Sequence, residues 1–452
     1  MAGDKVSRRE WLAGAGAAVV TAPGTLTSPL PPENTGPRGG LDGYVGAAAD
    51  FTLSNAHILV GELTMLSGGV RVEKGKIVEI GPSVTGGTDL LGSVIFPGFF
   101  DGGSPIGLYE IDQEEATHDD NESSDAVVPT ARVVDAYNPL SAPIGVARRQ
   151  GVLGGLCLPN GGLVAGQAAW MRFAGLTVAH ATVIDPAGVV VNFGKGGTGG
   201  QPNAPKSRMG VASKLRDILE ANKPPDDPHA NCSENDKKSG RCGKGKCKVK
   251  PPDKPPEYTP AQRTWHAVHR REMKVILGAN RADDILTAIE WAQAYKLDAV
   301  LLGCAEGHLV AKEIATSGLT VVAGPVTTQP SGWDNAYSRY DNLALLHKAG
   351  VNLVLRHGGS HQLREIGTEA CLAVAYGMPY GHAIAAACGH NARKVWNLPL
   401  GKLAVGEAAT FAVALGDPIQ PRTRMSRAWI DGREVTLRSR QSDLFDRFRV
   451  LW

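Results

Sequence analysis

The chain contains 452 residues, carries a formal net charge of +2 at pH 7 and is rich in glycine, with 56 residues of that type. Its length exceeds that of a single small domain and suits a large barrel with an accessory domain. The nearly balanced charge gives no overall electrostatic argument for binding nucleic acid or an acidic membrane.

The N-terminus predicts an export signal. Two arginines in SRREWL (residues 7–12) precede a weakly apolar run, AGAGAAVVTAPG, which is shorter than the ~20 residues that span a bilayer. The segment resembles a twin-arginine signal, and the alternative is an accidental Arg-Arg pair near a disordered start. We therefore expect a signal over residues 1–22, a Pro/Gly/Thr-rich linker over 23–45, and a periplasmic or other extracytoplasmic location.

Short strands separated by glycine turns follow the linker and return near the C-terminus. The first group reads FTLSNAHILVGE, GGVRVEKGKIVEIG and LLGSVIFPG, and the second reads GKLAVGEAATFAVALGDPI and RAWIDGREVTL. This arrangement predicts a small β-sandwich domain composed of residues 46–96 and 400–438.

Between these groups, short apolar runs alternate with helical segments over residues 97–399. The runs include GVLGGLCLP, GVVVNFG, MKVILGAN, LDAVLLGC, LTVVAGP and VNLVLRHG. The helical segments include ADDILTAIEWAQAYK, HLVAKEIATSG and LREIGTEACLAVAYG. Buried parallel strands that alternate with helices predict a βα barrel or a doubly wound sheet.

A Pro/Lys/Asp/Gly-rich insertion, residues 223–258, interrupts this pattern and predicts a surface loop. Its three cysteines, Cys232, Cys242 and Cys247, permit one disulfide in an exported protein. With His229 they permit a structural Cys3His zinc site instead, although the spacing matches no recognised zinc knuckle. The lysines permit a docking surface for an acidic partner.

The motifs of this chain resemble the amidohydrolase superfamily, in particular its imidazolonepropionase-like branch. The resemblance runs from about residue 50 to residue 435 and rests on VIFPGFFDGGSPIGL, ANRADDILTAIEWA, LLGCAEGHLVAKEIA and LGKLAVGEAATFAVALGDPIQ. It implies a distorted (β/α)8 TIM barrel with a small β-sandwich and an active site at the C-terminal ends of the barrel strands. It also implies one or two divalent metals that activate water for hydrolysis.

The metal ligands that this resemblance implies are missing. The family places His-x-His after an Asp and a small residue, but Asp101-Gly102 is followed here by Gly103, Ser104 and Pro105. The other expected ligand positions hold Gly278, Gly303 and Gly358. A site without its direct ligands cannot hold a metal at useful affinity, so we expect the family's mechanism to be lost.

Other polar residues near the predicted strand ends are candidates for a different chemistry. The weak catalytic candidates are Asp101, Cys304, Glu306 and His357. The binding candidates are Asn160, Gln167, Asn280, Arg281, His308, Arg356 and His361, of which the first two rest on the resemblance. Cys304 is either an exposed thiolate or a buried inert thiol, and the second reading is the commoner case. Glu306, His308, His357 and His361 form either a relocated metal site or ordinary loop positions, and we favour the latter.

Two functional hypotheses follow, and no cofactor is predicted under the first. The chain is either an exported binding or partner subunit that has lost metal-dependent hydrolysis, or a working hydrolase of C–N bonds with an altered site and a divalent metal such as zinc. Under the first hypothesis it binds a small molecule in the barrel mouth, and it self-associates or pairs with an active relative. A binding barrel that acts alone also stays open.

Overall fold

A computed structural model describes residues 39–60, 64–225 and 257–451, and its strands form two eight-stranded sheets. The strands of the smaller domain are β1 (Phe51–Val60), β2 (Thr64–Glu73), β3 (Lys76–Gly81), β4 (Thr88–Asp89), β5 (Val94–Phe96), β14 (Phe411–Ala414), β15 (Met425–Ile430) and β16 (Arg433–Val435). The strands of the barrel are β6 (Phe99–Ser104), β7 (Val152–Cys157), β8 (Val164–Arg172), β9 (Thr182–Asn192), β10 (Val275–Ala279), β11 (Ala299–Gly303), β12 (Thr320–Ala323) and β13 (Leu353–Leu355).

The smaller sheet combines strands from both ends of the described chain. Its order is β16-β15-β14-β5-β1-β2-β3, with β4 also paired to β1. Strand β5 joins the two groups, because it runs parallel to β1 and antiparallel to β14. Alternation along β5 directs Ile95 into the core of this sheet and Val94 and Phe96 into the barrel core. The prediction of an accessory β domain built from both ends of the chain is confirmed.

The second sheet is a nearly closed barrel with the strand order β6 to β13. All neighbouring pairs are parallel except those of β8, which runs antiparallel to β7 and β9. Two glycines in the left-handed region, Gly161 (φ +78°) and Gly162 (φ +60°), permit the tight turn between β7 and β8. The predicted distorted TIM barrel is confirmed, and the antiparallel β8 is an addition that the sequence did not indicate.

The α-helices that accompany the strands were predicted at several of their observed positions. They are α1 (Val133–Ala136), α2 (Ala142–Arg149), α3 (Val178–Ala181), α4 (Arg208–Ala221), α5 (Pro260–His269), α6 (Ala282–Ala294), α7 (Ala311–Ser317), α8 (Asn342–Lys348), α9 (Ile366–Ala375), α10 (Tyr380–Ala387), α11 (His390–Trp396) and α12 (Arg440–Phe448). Helix α6 buries Ile285, Ile289 and Ala292 along the face that the apolar spacing predicts. No helix within the described ranges is long and apolar enough to cross a membrane. The predicted signal and the cysteine-containing part of the insertion lie outside the described residues.

Candidate functional site

Two neighbouring cavities lie at the C-terminal ends of the barrel strands. Their volumes are about 520 and 180 Å³, and both are lined by Asn280, Gly303, Asp334 and Arg356. Asn280 follows β10, Gly303 ends β11 and Arg356 follows β13. The cavities therefore form the mouth of the barrel, where the side chains of successive parallel strands converge.

Asp101 on β6 is fully buried beneath this mouth. Its Oδ1 accepts a hydrogen bond from the backbone N–H of His357 (2.7 Å), and its Oδ2 accepts one from the N–H of Gly103 (3.2 Å). Burial raises the pKa of this carboxyl group, although the His357 N–H and the nearby Arg356 charge act in the opposite direction. Because its Oδ1 accepts from His357, which follows β13, Asp101 connects the first and last barrel strands.

Arg356 is half-buried and lines both cavities. Its Nε donates a hydrogen bond to the carbonyl oxygen of Gly103 (2.9 Å), which fixes one edge of the guanidinium group. Burial lowers the pKa of Arg356, and the charge of Asp101 opposes this effect. An arginine has five N–H donors, and the Nη groups of Arg356 donate no hydrogen bond to the described residues, so they can bind a ligand in the mouth.

Asparagine side chains occupy the space above two of the expected ligand positions. A β-carbon placed at Gly278 would lie 2.5 Å from Oδ1 of Asn192. One placed at Gly303 would lie 2.3 Å from Oδ1 of Asn280, and Gly303 has a φ of +94° that disfavours other residues. Each amide therefore fills the place where a metal-ligating side chain would begin.

Side-chain ends also occupy the space at the remaining glycine positions. A β-carbon at Gly103 would lie 2.4 Å from Cδ1 of Leu158, and one at Gly358 would lie 2.7 Å from Nη2 of Arg356. Pro105 is buried and has no donor atom in its side chain. Within the described residues, no group of three or more His, Cys, Asp or Glu is arranged to hold a metal ion. The residues in the mouth do not fit the metal centre that the resemblance implies.

The four residues considered for a relocated metal site have separate structural environments. Glu306 is buried, and its carboxylate accepts hydrogen bonds from the backbone N–H groups of Ala282 (3.1 Å) and Tyr337 (3.0 Å). His361 contacts the carbonyl oxygen of Glu110 through Nε2 (2.9 Å). His357 lines the larger cavity, and its Nε2 lies 4.0 Å from Oε1 of the buried Glu369.

His308, the fourth of these residues, lies on the short 3-10 turn after β11. Its backbone N–H donates to Oδ1 of Asn342 (2.9 Å), and its Nδ1 is buried without a hydrogen-bond partner among the described residues. Cys304 is also fully buried, and burial raises the pKa of its thiol far above the usual range. A buried, protonated thiol is a poor nucleophile, so the structure places Cys304 in the core rather than in the mouth.

The other predicted binding residues divide between the mouth and the scaffold. Asn280 lines both cavities, and Asn160 lines the smaller one while its amide donates to Oδ2 of Asp120 (2.6 Å). Gln167 is buried and donates to the carbonyl oxygen of Pro129 (2.8 Å). Arg281 pairs with Asp283 at the start of α6 and does not line either cavity.

Several residues of the mouth were not predicted. Lys195 and Trp333 line the larger cavity, and Trp333 is 77% exposed. The run VVVNFGKGG held a signal for Lys195, because a polar residue shortly after a predicted barrel strand lies near the mouth. Trp333 lies between β12 and α8, and no local pattern indicates that this loop folds over the barrel.

The charged residues that line the two cavities are predominantly cationic. The cationic side chains are those of Lys195, Arg339 and Arg356, and the one carboxylate in the lining is that of Asp334. Arg339 is paired with Asp341 (2.6 Å), and Asp334 is paired with Arg208 (2.5 Å). The mouth therefore keeps an excess of positive charge on Lys195 and Arg356, which favours an anionic ligand.

Solved structures with a similar fold are amidohydrolases and a prolidase. An amidohydrolase from Thermotoga maritima MSB8 is 27% identical, with a TM-score of 0.74 over 86% of this chain and 100% of that protein. A prolidase complexed with N-methylphosphonate-L-proline is 16% identical, with a TM-score of 0.52 over 86% of this chain and 100% of the prolidase. A further amidohydrolase is 14% identical, with a TM-score of 0.51 over 86% of this chain and 99% of its own. No protein-family model and no curated protein matches the sequence.

The chain therefore has the fold of the amidohydrolase superfamily, and the resemblance to this superfamily inferred from its motifs is confirmed. Its place in the imidazolonepropionase-like branch stays a prediction. This fold supports a hydrolase-like protein, a barrel whose mouth is the expected place of a functional site.

Proposed function

We propose that this protein binds a small anionic molecule in the barrel mouth and does not carry out the metal-dependent hydrolysis of its superfamily. The observation that carries the proposal is the position of Arg356. One edge of its guanidinium group is fixed to Gly103, and the group borders both cavities of the mouth. A fixed guanidinium fork in a partly enclosed site favours a carboxylate or a similar planar anion, because it offers parallel N–H donors.

The other lining residues suit the same class of ligand. Lys195 adds a second cation, and the amide of Asn280 adds a neutral donor and acceptor. The exposed indole of Trp333 offers a flat apolar surface. We infer a ligand with one carboxylate and an apolar or planar part, of a size that a cavity of about 520 Å³ can enclose.

Matched pairs of carboxylates and neutral amides test this proposal. N-acetylated amino acids and their C-terminal amides should be compared by thermal shift and by titration calorimetry. We expect the acids to bind and the amides to bind at least about tenfold more weakly, because the amide cannot pair with Arg356. Arg356→Met should abolish the preference, whereas Arg281→Met should retain it. Equal binding of acids and amides, or a preference that survives Arg356→Met, would contradict the proposal.

The alternative is a hydrolase of C–N bonds with an altered site, and His357 beside Glu369 is the observation in its favour. A histidine next to a buried carboxylate is a candidate general base. Turnover of acylated amino acids or cyclic amides that His357→Gln removes would support this alternative. Export through the N-terminal segment and pairing with an active relative are further proposals. Cell fractionation and co-purification of the full-length chain would test them.

A further inference from the structure

The C-terminal helix α12 and the turn after it expose an apolar surface. Leu444, Phe445 and Phe448 are 39%, 55% and 47% exposed, and Val450 and Leu451 follow with greater exposure. Leu444, Phe445 and Phe448 stand at positions i, i+1 and i+4, so they share one face of the helix. Ser442 is the one residue of α12 that is buried in the described structure.

The opposite face of α12 is tied to the body of the protein. The buried Arg438 donates to Asp443 (2.7 Å) and to Asp446 (2.5 Å), and Arg149 donates to the hydroxyl of Ser442 (3.2 Å). Ser439 caps the helix and fixes its first turn. The two acidic residues of the helix are both paired with Arg438, although the side chain of Asp443 is 58% exposed. These contacts hold one face of the helix against the body of the protein and leave the apolar face outward.

Arginines flank this outward face. Arg440 and Arg447 are exposed and line a groove of about 570 Å³ together with Leu41 and Leu140, which are also exposed. Arg449 lies beyond the helix on the same terminal segment, 3.5 Å from Asp446. The surface thus combines apolar side chains with arginine, while the carboxylates of the helix are engaged with Arg438.

We propose that this face docks on an anionic phospholipid surface. A short helix whose apolar face is bordered by arginines, and whose remaining positions are polar or charged, is typical of helices that lie in the lipid headgroup region. A second copy of the chain fits less well, because a symmetric pair would bring exposed arginines together while Asp443 and Asp446 are already paired with Arg438. This local patch is cationic, although the net charge of the whole chain is only +2.

Vesicle flotation of the full-length chain tests the proposal. Vesicles of phosphatidylcholine alone are compared with vesicles that also contain phosphatidylglycerol. We expect binding to the anionic vesicles, and we expect Phe445→Ser/Phe448→Ser and Arg440→Glu/Arg447→Glu each to weaken it at least about tenfold. Met209→Ser and Arg422→Glu are matched controls at exposed positions elsewhere and should bind like the wild type.

All of these variants keep the N-terminal segment, so its own affinity for lipid cannot explain a difference between them. Thermal unfolding of each variant confirms that the exposed substitutions leave the fold intact. The proposal is overturned if the wild type does not bind, if it binds both kinds of vesicle equally, or if the helix variants bind unchanged. It is also overturned if light scattering shows a dimer that Phe445→Ser/Phe448→Ser converts to a monomer without any change in vesicle binding.

Discussion

At the scale of single residues, Asp101 shows how a buried carboxyl group at the barrel mouth can support the fold. It is fully buried, and its oxygens accept hydrogen bonds from the backbone N–H of Gly103 on the same strand β6 and from that of His357 after β13. Burial raises its pKa in the folded protein above the ordinary value of 3.8. The folded state therefore binds this proton more tightly than the unfolded state.

This raised pKa predicts a pH-dependent stability. The stabilisation that the protonated Asp101 contributes is fully present below pH 3.8 and is lost as the pH rises through the higher folded value. The free energy of unfolding of the wild type, relative to Asp101→Asn, should therefore fall as the pH rises from the acid range towards neutrality. Urea titrations across this range measure the difference, with Asp112→Asn as a control for the loss of one exposed carboxyl group. A difference that stays constant or grows with pH would show that burial does not govern Asp101.

At the scale of elements, the ends of the barrel strands show what surrounds the glycines at the expected ligand positions. Gly303 ends β11 with a φ of +94°, and the amide of Asn280 lies over it. We expect Gly303→Ala to destabilise the protein by about 1–3 kcal/mol, because it adds backbone strain and a collision. Adding Asn280→Ala to the Gly303→Ala variant should restore only the part of the lost stability that the collision causes. Chemical denaturation measures these differences.

Gly381 in α10 provides the matched control for this prediction. It has no neighbouring atom within 4 Å of an added β-carbon and an ordinary helical backbone. Gly381→Ala should therefore be neutral or slightly stabilising, since alanine has the higher helix propensity. If Gly303→Ala were equally harmless, the strand end could accept a side chain at this position. The contact with Asn280 would then not exclude a ligand there.

The same elements show what the sequence can predict and where it cannot. Apolar runs that end in Gly, Asn or Pro predicted β7 and β9 to β13, because buried parallel strands need continuous apolar residues. Strand β8, with the sequence VAGQAAWMR, was missed because alanine and glycine have little strand propensity. Its structure depends on pairing with both β7 and β9, which the sequence of the strand alone does not indicate. Asn280 and Arg356 were found because they directly follow strands. Trp333 was missed because the position of its loop depends on contacts far apart in sequence.

At the scale of the whole molecule, strand β5 of the smaller sheet links the two domains, because its side chains are buried in both cores. The body of the barrel is therefore held by apolar packing and backbone pairing, and the described residues do not supply a cluster of metal ligands. We therefore expect the barrel to fold without a metal. Metal bound to the barrel would have to contribute to folding free energy, since ligand binding to the native state raises stability.

We expect chelators to leave the stability of the barrel unchanged. The Cys232→Ser/Cys242→Ser/Cys247→Ser variant removes the thiols of the insertion and separates any metal held there from metal held in the mouth. Purified without chelators or affinity-tag histidines, this variant should contain no stoichiometric divalent metal by mass spectrometry, and EDTA should not shift its melting temperature. About one metal per chain that EDTA removes, with a fall in melting temperature, would restore the hydrolase hypothesis. The ligands to substitute first would then be His357, His361 and Glu306. A loop rearrangement would be needed to bring these three side chains together around one metal.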